Sequence, residues 1–389
     1  MTKNRAAIVL STAALLAAVL GQTAVGHAAA NAVRIALFAQ NSGRVNNIQA
    51  SRTPMPGRLV PLNAKGKLPA SVLPEPGSGG GSQTGDSYTH TLFVHPDPNV
   101  NKAGTGLLNV LSGITDNSAS NPYLVKIEPG IYHLAAGSVT MKPYVDVEGS
   151  GEGVTMLTST NSSGSGTVIG TDHSELRFLS VTNTGGGQQS VALFSESTSP
   201  RFTHVTASAS GGAENYAIHI SNGSPALTNV TAIASGGAQS FAFGNFNGNV
   251  TVLDSTFAAS DAAGLNIGLL TTLGGSVRVV SSALTGSGGA IAMGMRSYSG
   301  SHSLQNVTAS GSGTNESYGI YNGQKTSTPS VSVNQSRISG GTNSVFALGG
   351  SVKLGASQLA GPAGVGEIGS VVCAASYNGS FAPLGSGCS

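Results

Sequence analysis

The sequence predicts an all-β fold, a single-stranded parallel β-helix closed at its N-terminal end by a capping helix, and three observations carry that prediction. First, a short apolar–small–apolar element recurs seven times, beginning at Val191, Tyr216, Phe241, Leu265, Ile291, Tyr318 and Val345, at intervals of 24 to 27 residues. A period of this length marks stacked units, none of which can bury its apolar face alone. Second, an apolar residue followed by Thr or Ser and then Ala or Gly repeats in phase, as VTAS at 205–208, VTA at 230–232, LTGS at 284–287, VTAS at 307–310 and ISG at 338–340. Third, runs such as VTV at 250–252, VRV at 277–279, VSV at 331–333 and VKL at 352–354 alternate with the period of two of a strand buried on one face. Three strands and three Gly-, Asn- or Ser-marked turns in about 25 residues make one coil, stacked on the next at about 4.8 Å. Leucine-rich spacing is absent, and propeller blades need about 40 residues. Parallel crossovers are right-handed as a rule, so the coil is expected to be right-handed.

Four segments follow in order. Residues 1–30 read as a secretory signal peptide: Lys3 and Arg5 precede an apolar run at 6–20, and HAAA at 27–30 offers small residues for cleavage. That run is shorter than the roughly 20 residues a membrane-spanning helix needs, so no membrane span is expected after cleavage. Residues 31–88 hold six prolines between Pro54 and Pro76 and a Gly/Ser stretch at 77–85, the composition of a linker. Residues 89–372 form the β-helix with its cap. Thr105 is expected to cap a helix bearing Leu107, Leu108, Val110, Leu111 and Ile114, followed by a strand at 123–127, a turn at 128–130 and a further strand. A helix there covers the apolar core and unpaired edges that an open solenoid end exposes. Residues 373–389 form a tail between Cys373 and Cys388, which in an oxidising compartment are expected to form one disulfide fastening the tail over the last coil. The column Leu193, Ile218, Phe243, Ile267, Met293 and Ile320 is the expected apolar core.

Composition narrows the function. Only 9% of residues are charged, the net charge is +2, and there is no Trp. Nucleic-acid binding requires a basic density that this chain lacks, so no nucleic-acid partner is expected. No spacing of His, Cys, Asp or Glu points to a metal site, and no cofactor is expected.

Two resemblances add to this reading. Residues 58–74, RLVPLNAKGKLPASVLP, resemble short segments that precede β-helical or fibrous parts of phage tail proteins and some bacterial surface proteins. That resemblance implies a homotrimer formed through the N-terminal segment. The order of the helix, VKIEPGIY, MKPYVDVEGSGEGVT, TNTGGGQQSVAL and SFAFGNFNGNVTVLDSTF over about residues 92–257 is similar to the pectin-lyase-like superfamily, and within it to the pectinesterases. It implies a right-handed parallel β-helix and places Gln189 at a glutamine that helps form the family's oxyanion site. The family's catalytic carboxylates have no counterpart here: Ser240 precedes the FAFG segment where the nucleophile stands, and the other aspartate motif and the Arg/Trp motif are missing. Covalent carboxylate catalysis needs both a nucleophile and a group to manage the proton. No catalytic residue is therefore assigned.

The remaining carboxylates are scattered. Asp254 and Asp261 read as turn residues, and so does the polar cluster DHSE at 172–175. The aromatics carry the one binding hypothesis. Tyr216, Phe241 and Tyr318 occupy equivalent places in their coils, with Tyr298 and Tyr321 in nearby turns, and together with Gln189 they could form a surface stripe that stacks on sugar rings. The competing reading is an internal ladder filling a corner of the core, and the phase with Leu193, Ile218 and Ile267 favours it. Overall the sequence points to a secreted, non-catalytic extracellular or cell-surface protein that presents a rigid face to a polysaccharide or a partner surface. The alternatives are a pectinesterase- or pectate-lyase-like enzyme with a different site, or a structural part of a trimeric fibre.

Overall fold

The computed structural model describes residues 44–45, 48–49 and 88–389. The chain divides into two compact units, Met1–Gly85 and Asp86–Ser389. The first contains an antiparallel pair, Arg44–Val45 with Ile48–Gln49. The expected signal peptide, the segment at 58–74 and the Gly/Ser stretch lie outside the described residues.

The second unit is a right-handed parallel β-helix of about ten turns with one helix near its start. That helix is Val100–Gly113, and it begins five residues before the expected cap. Its N-cap is Asn99, whose side-chain oxygen accepts from the backbone N–H groups of Asn101 and Lys102, satisfying two of the donors that a helix start leaves open. Thr105 instead lies inside the first turns and donates its hydroxyl to the Asn101 carbonyl. Leu107, Leu111 and Ile114 are buried against the first coils, with Leu108 and Val110 packed beside them. Gly104 is required by proximity: a Cβ there would collide with the His133 carbonyl.

Three parallel sheets make the walls. The first stacks Gly187–Glu196, Gly212–Gly223, the start of Gln239–Leu253, Leu265–Thr272, Ile291–Ser297, Glu316–Asn322 and Asn343–Gly355. The second runs through Ser276–Val280, Ser301–Gln305 and Ser330–Asn334, and the third through Thr256–Ser260, Ala283–Ser287, Thr308–Ser312 and Arg337–Gly340. Between second and third sheets each coil turns on one residue in the left-handed region: Phe178, His204, Asn229, Asp254, Ser281, Asn306, Gln335, Ala356 and Ala375, with φ from 46° to 55°. None of these is Gly, so each carries a steric cost of about 1–2 kcal/mol.

What offsets that cost follows in sequence. The residue after the turn is often a buried serine whose hydroxyl accepts the backbone N–H of the neighbouring coil and donates to its own carbonyl two residues back. Ser255 accepts from Val230, Ser282 from Ser255, Ser336 from Val307, Ser357 from Ser336 and Ser376 from Ser357, at 3.0 to 3.3 Å. These corners are thereby fully hydrogen-bonded inside the wall.

The lumen is filled by Leu193, Ile218, Phe243, Leu269, Met295, Ile320 and Val345 in one column, and by Ala207, Ala232, Phe257, Leu284, Ala309 and Ile338 in a column of the third sheet. Ile267 and Met293 are not in that column, contrary to the expectation from phase. The turn before Leu265 is longer than in earlier coils, Phe241 pairs with Ile267 rather than Leu265, and the pattern slips by one dyad. At the far end Cys373 and Cys388 are bonded, 15 residues apart, and both lie against the end of the lumen core. Leu384 packs there too, and the Cys373 N–H donates to the Ser386 carbonyl.

Candidate functional site

The first sheet bends in the middle of every strand, and the bend creates a second apolar cluster. Pairing along this sheet skips Ala192, Ala217, Ala242, Gly268, Gly294 and Gly319. Side chains alternate between faces of a straight strand, yet Ala217 and Ile218 both belong to the lumen core. The residues flanking this inward pair, Tyr216 and His219, therefore point outward. The same bend places Val191, Tyr216, Phe241, Ile267, Met293 and Tyr318 in one outer column, and Phe194, His219, Leu270, Arg296, Tyr321 and Phe346 in the next. Small residues occupy the bend because coils approach closely there: a Cβ on Gly268 would sit 2.6 Å from the Thr285 nitrogen.

Tyr216, Phe241 and Tyr318 are buried, as an internal ladder would be, but not in the lumen. They form the floor of the outer cluster, at 4 to 7% exposure, and the half-buried Phe194, Phe246, Tyr298, Tyr321 and Phe346 pack over them. Tyr216 stacks on Phe241 with centroids 4.7 Å apart, and His219 lies 4.6 Å from Phe246. Tyr321 meets Tyr318 edge-on at 5.0 Å. Burial, reinforced by Glu214, raises the Tyr216 hydroxyl, and burial with Glu316 pushes Tyr318 up to about 12. Burial alone lowers His219 to about 4, and its Nδ1 has no hydrogen-bond partner. These rings remain neutral across the physiological range.

One rim of the stripe is polar. Gln189, Glu214 and Gln239 share a column that continues through Leu265 and Ile291 to Glu316. Gln189 donates its amide to Glu214 at 3.0 Å, and the Tyr318 hydroxyl donates to Glu316 at 3.2 Å. The opposite side carries Arg296. Its guanidinium carbon lies 4.4 Å from the Tyr298 ring centre and 4.8 Å from that of Tyr321. All six residues singled out in the sequence, Gln189, Tyr216, Phe241, Tyr298, Tyr318 and Tyr321, thus lie on this one face. Sequence reasoning missed Phe194, His219, Phe246, Arg296 and Phe346, because the column that holds four of them changes chemistry from coil to coil and Phe246 lies outside it.

A second cluster lies on the first coils of the second sheet. Lys126, Glu148 and Arg177 are register partners, and the Glu175 backbone N–H donates to Asp146 at 2.7 Å. Arg177 donates to Glu148 at 2.9 Å and to Glu175 at 2.9 Å, Lys126 reaches Glu148 at 2.7 Å, and Tyr88 donates to Asp146 at 2.6 Å. Burial raises Asp146. It would raise Glu148 and Glu175 as well, but the Lys126, Arg177 and Thr203 donors outweigh it and hold both low. Every carboxylate here is held by partners within the chain, which makes this a clasp joining Tyr88 to the first coils.

The other polar residues are turn formers. Asp254 and Asp261 have φ of 49° and 60°, and His173 has 55°. Asp172 accepts the Ser199 N–H at 2.7 Å, and Glu175 belongs to the clasp. Ser240 is fully buried and donates to the Gly236 carbonyl, so the position aligned with a nucleophile faces the corner of the lumen. A groove of about 470 Å³ on the second sheet is lined by Ser276, Arg278, Ser301, Ser303, Ser330 and Ser332. Among the described residues no three His, Cys, Asp or Glu side chains are grouped to hold a metal ion, and no helix is long and apolar enough to cross a membrane.

The molecule is thus a right-handed parallel β-helix of about ten turns with one helix near its N-terminal end. No family model matches the sequence, and no curated protein is detectably similar to it. Among solved structures it is similar to the Dettilon tailspike protein, at 10% identity and a TM-score of 0.49, over 74% of this chain and 62% of that one. It is also similar to the A-modules of the Azotobacter vinelandii mannuronan C-5 epimerases AlgE6, at 12% identity and a TM-score of 0.38, and AlgE4, at 11% and 0.36. This chain is covered to 73% and 72% in those two comparisons, and the modules to 96% and 97%.

Proposed function

We propose that the protein is exported and binds a polysaccharide along the outer face of its first sheet, without altering it. The observation that supports this reading is the stripe of half-buried rings, Phe194, Phe246, Tyr298, Tyr321 and Phe346, fixed by stacked coils on a floor of buried aromatics. Rigid rings pack against the apolar faces of sugars at little entropic cost, and a polar rim of Gln189, Glu214, Gln239 and Glu316 supplies acceptors and donors for hydroxyls. The repeat of about 4.8 Å between coils matches the pitch of an extended surface better than a closed pocket. The stripe's two rim carboxylates, Glu214 and Glu316, stand four coils apart and each is engaged by a neighbour, Gln189 or Tyr318, which supports a binding role over an enzymatic one.

Incubation of the secreted chain with a panel of neutral, esterified and de-esterified polysaccharides, followed by analysis of the recovered sugar, tests this. Retention of unaltered polysaccharide is expected. Shortened, de-esterified or epimerised sugar would replace the reading with an enzymatic one. The resemblance at 58–74 supports a trimer through residues 31–88, for which sedimentation of the secreted chain is the test and a monomer the contrary result.

A further inference from the structure

Arg296 is the charged group of the stripe that no hydrogen bond or ion pair among the described residues engages. It is half-buried, its Nε is buried without a hydrogen-bond partner, and it makes no ion pair among the described residues. Its neighbours in the same column are Leu270 on one side and Tyr321 on the other. The charge is therefore held over two rings, Tyr298 and Tyr321, with no carboxylate in ion-pair contact among the described residues. Rings flanking a guanidinium fix its plane and strip part of its water, which strengthens its attraction for an oxyanion arriving from solvent. Glu316 is the nearest acid of the stripe in register, but it pairs with Ile291, five residues before Arg296 along the strand, and is engaged by Tyr318. The Tyr318 hydroxyl senses both, raised by Glu316, to which it donates, and lowered by Arg296.

Resting on the polysaccharide reading above, we infer that the bound sugar is acidic: a ring carrying an oxyanion, carboxylate or sulfate, whose charged group lies against the Arg296 guanidinium between Tyr298 and Tyr321. Hydroxyls of the same sugar face the Glu316 side of the rim, one coil from Arg296. A planar carboxylate accepts two parallel bonds from a guanidinium, which a neutral sugar cannot do. A neutral polymer would leave the charge half-desolvated and unpaired, a standing penalty against it.

The test uses the secreted full-length chain and four probes: polygalacturonate and alginate for carboxylate, dextran sulfate for sulfate, and dextran as the neutral polymer. The inference expects binding to at least one charged probe, and weaker or no binding to dextran. Arg296→Gln is expected to weaken the charged probe by about tenfold or more, the loss of one charge-assisted contact. Should that variant fold poorly, the wild-type salt response serves instead: affinity for the charged probe must fall between about 50 and about 500 mM salt, where screening lengths shorten from above to below one coil spacing or two. Equal binding to dextran and charged probes with Arg296→Gln unchanged overturns the anion inference and leaves polysaccharide binding standing. Silence on every probe and on a wider glycan panel overturns both.

Discussion

His302 is buried at 4% exposure, with Nε2 within 2.9 Å of the Ser297 hydroxyl and the Ser299 carbonyl and its Nδ1 unpaired. Burial pushes it down to about 4, against a partial upward pull from the Ser299 bond, so it is neutral in the fold. An unfolded histidine takes up its proton below about pH 6.5, and protonation therefore favours unfolding. Stability is full above that value and declines as the pH falls towards 4, with His302 contributing on the order of 3 kcal/mol to the decline. Thermal melts of wild type and His302→Gln between pH 7 and 4 check this: the variant should lose part of the slope, with the remainder belonging to His219, which burial also lowers to about 4. At this scale the sequence shows Tyr216, Phe241 and Tyr318 because they recur at one period, but it assigns them to the wrong side of the wall. A bend that turns two consecutive residues inward breaks the alternation on which such an assignment rests. Arg296 leaves no periodic trace, since its register partners are Leu270 and Tyr321.

Single elements of the coil have separable tasks. The corner serines accept a backbone N–H that would otherwise be buried without a partner. Ser336→Ala strands the Val307 N–H and should cost about 1–3 kcal/mol in denaturant unfolding, more than the same change at the half-exposed Ser339. The capping helix is held by Leu107, which is fully buried, and Leu107→Ala should cost about 2–5 kcal/mol. Proteolysis reads the same effect locally, as early cleavage in the first coils. The disulfide closes a loop of 15 residues, worth about 3 kcal/mol in the chain-entropy picture, and Cys373→Ser with Cys388→Ser should lower the melting temperature and open the tail to hydrogen exchange. Strand order, turn positions and this bridge were legible because each follows from period, turn chemistry or cysteine count. The helix start was not. A Thr ahead of an apolar run and an Asn after a proline carry the same local signal, and the choice of Asn99 is made by packing of Ala103 and Gly104 against the first coils.

Over the whole solenoid unit, continuous ladders join each coil only to its neighbours, so stability is the sum of similar interfaces, with closures at both ends. The clasp of Tyr88, Asp146, Arg177, Glu148 and Glu175 strengthens the first coils in particular. Glu148 and Glu175 are held below their ordinary value of 4.5, so their contribution is present above that pH and disappears as the pH falls through their lower folded values. The same stacking fixes the aromatic face, which makes it a surface that need not reorganise on binding. Isothermal titration of the polysaccharide retained from the panel, comparing the wild type with Tyr298→Ser/Tyr321→Ser, tests that claim most directly. Both side chains are half-exposed and overlie the buried floor, so the account predicts a melting temperature close to wild type and affinity reduced at least about tenfold. Undiminished affinity in a folded double variant would contradict it and move the site to another face.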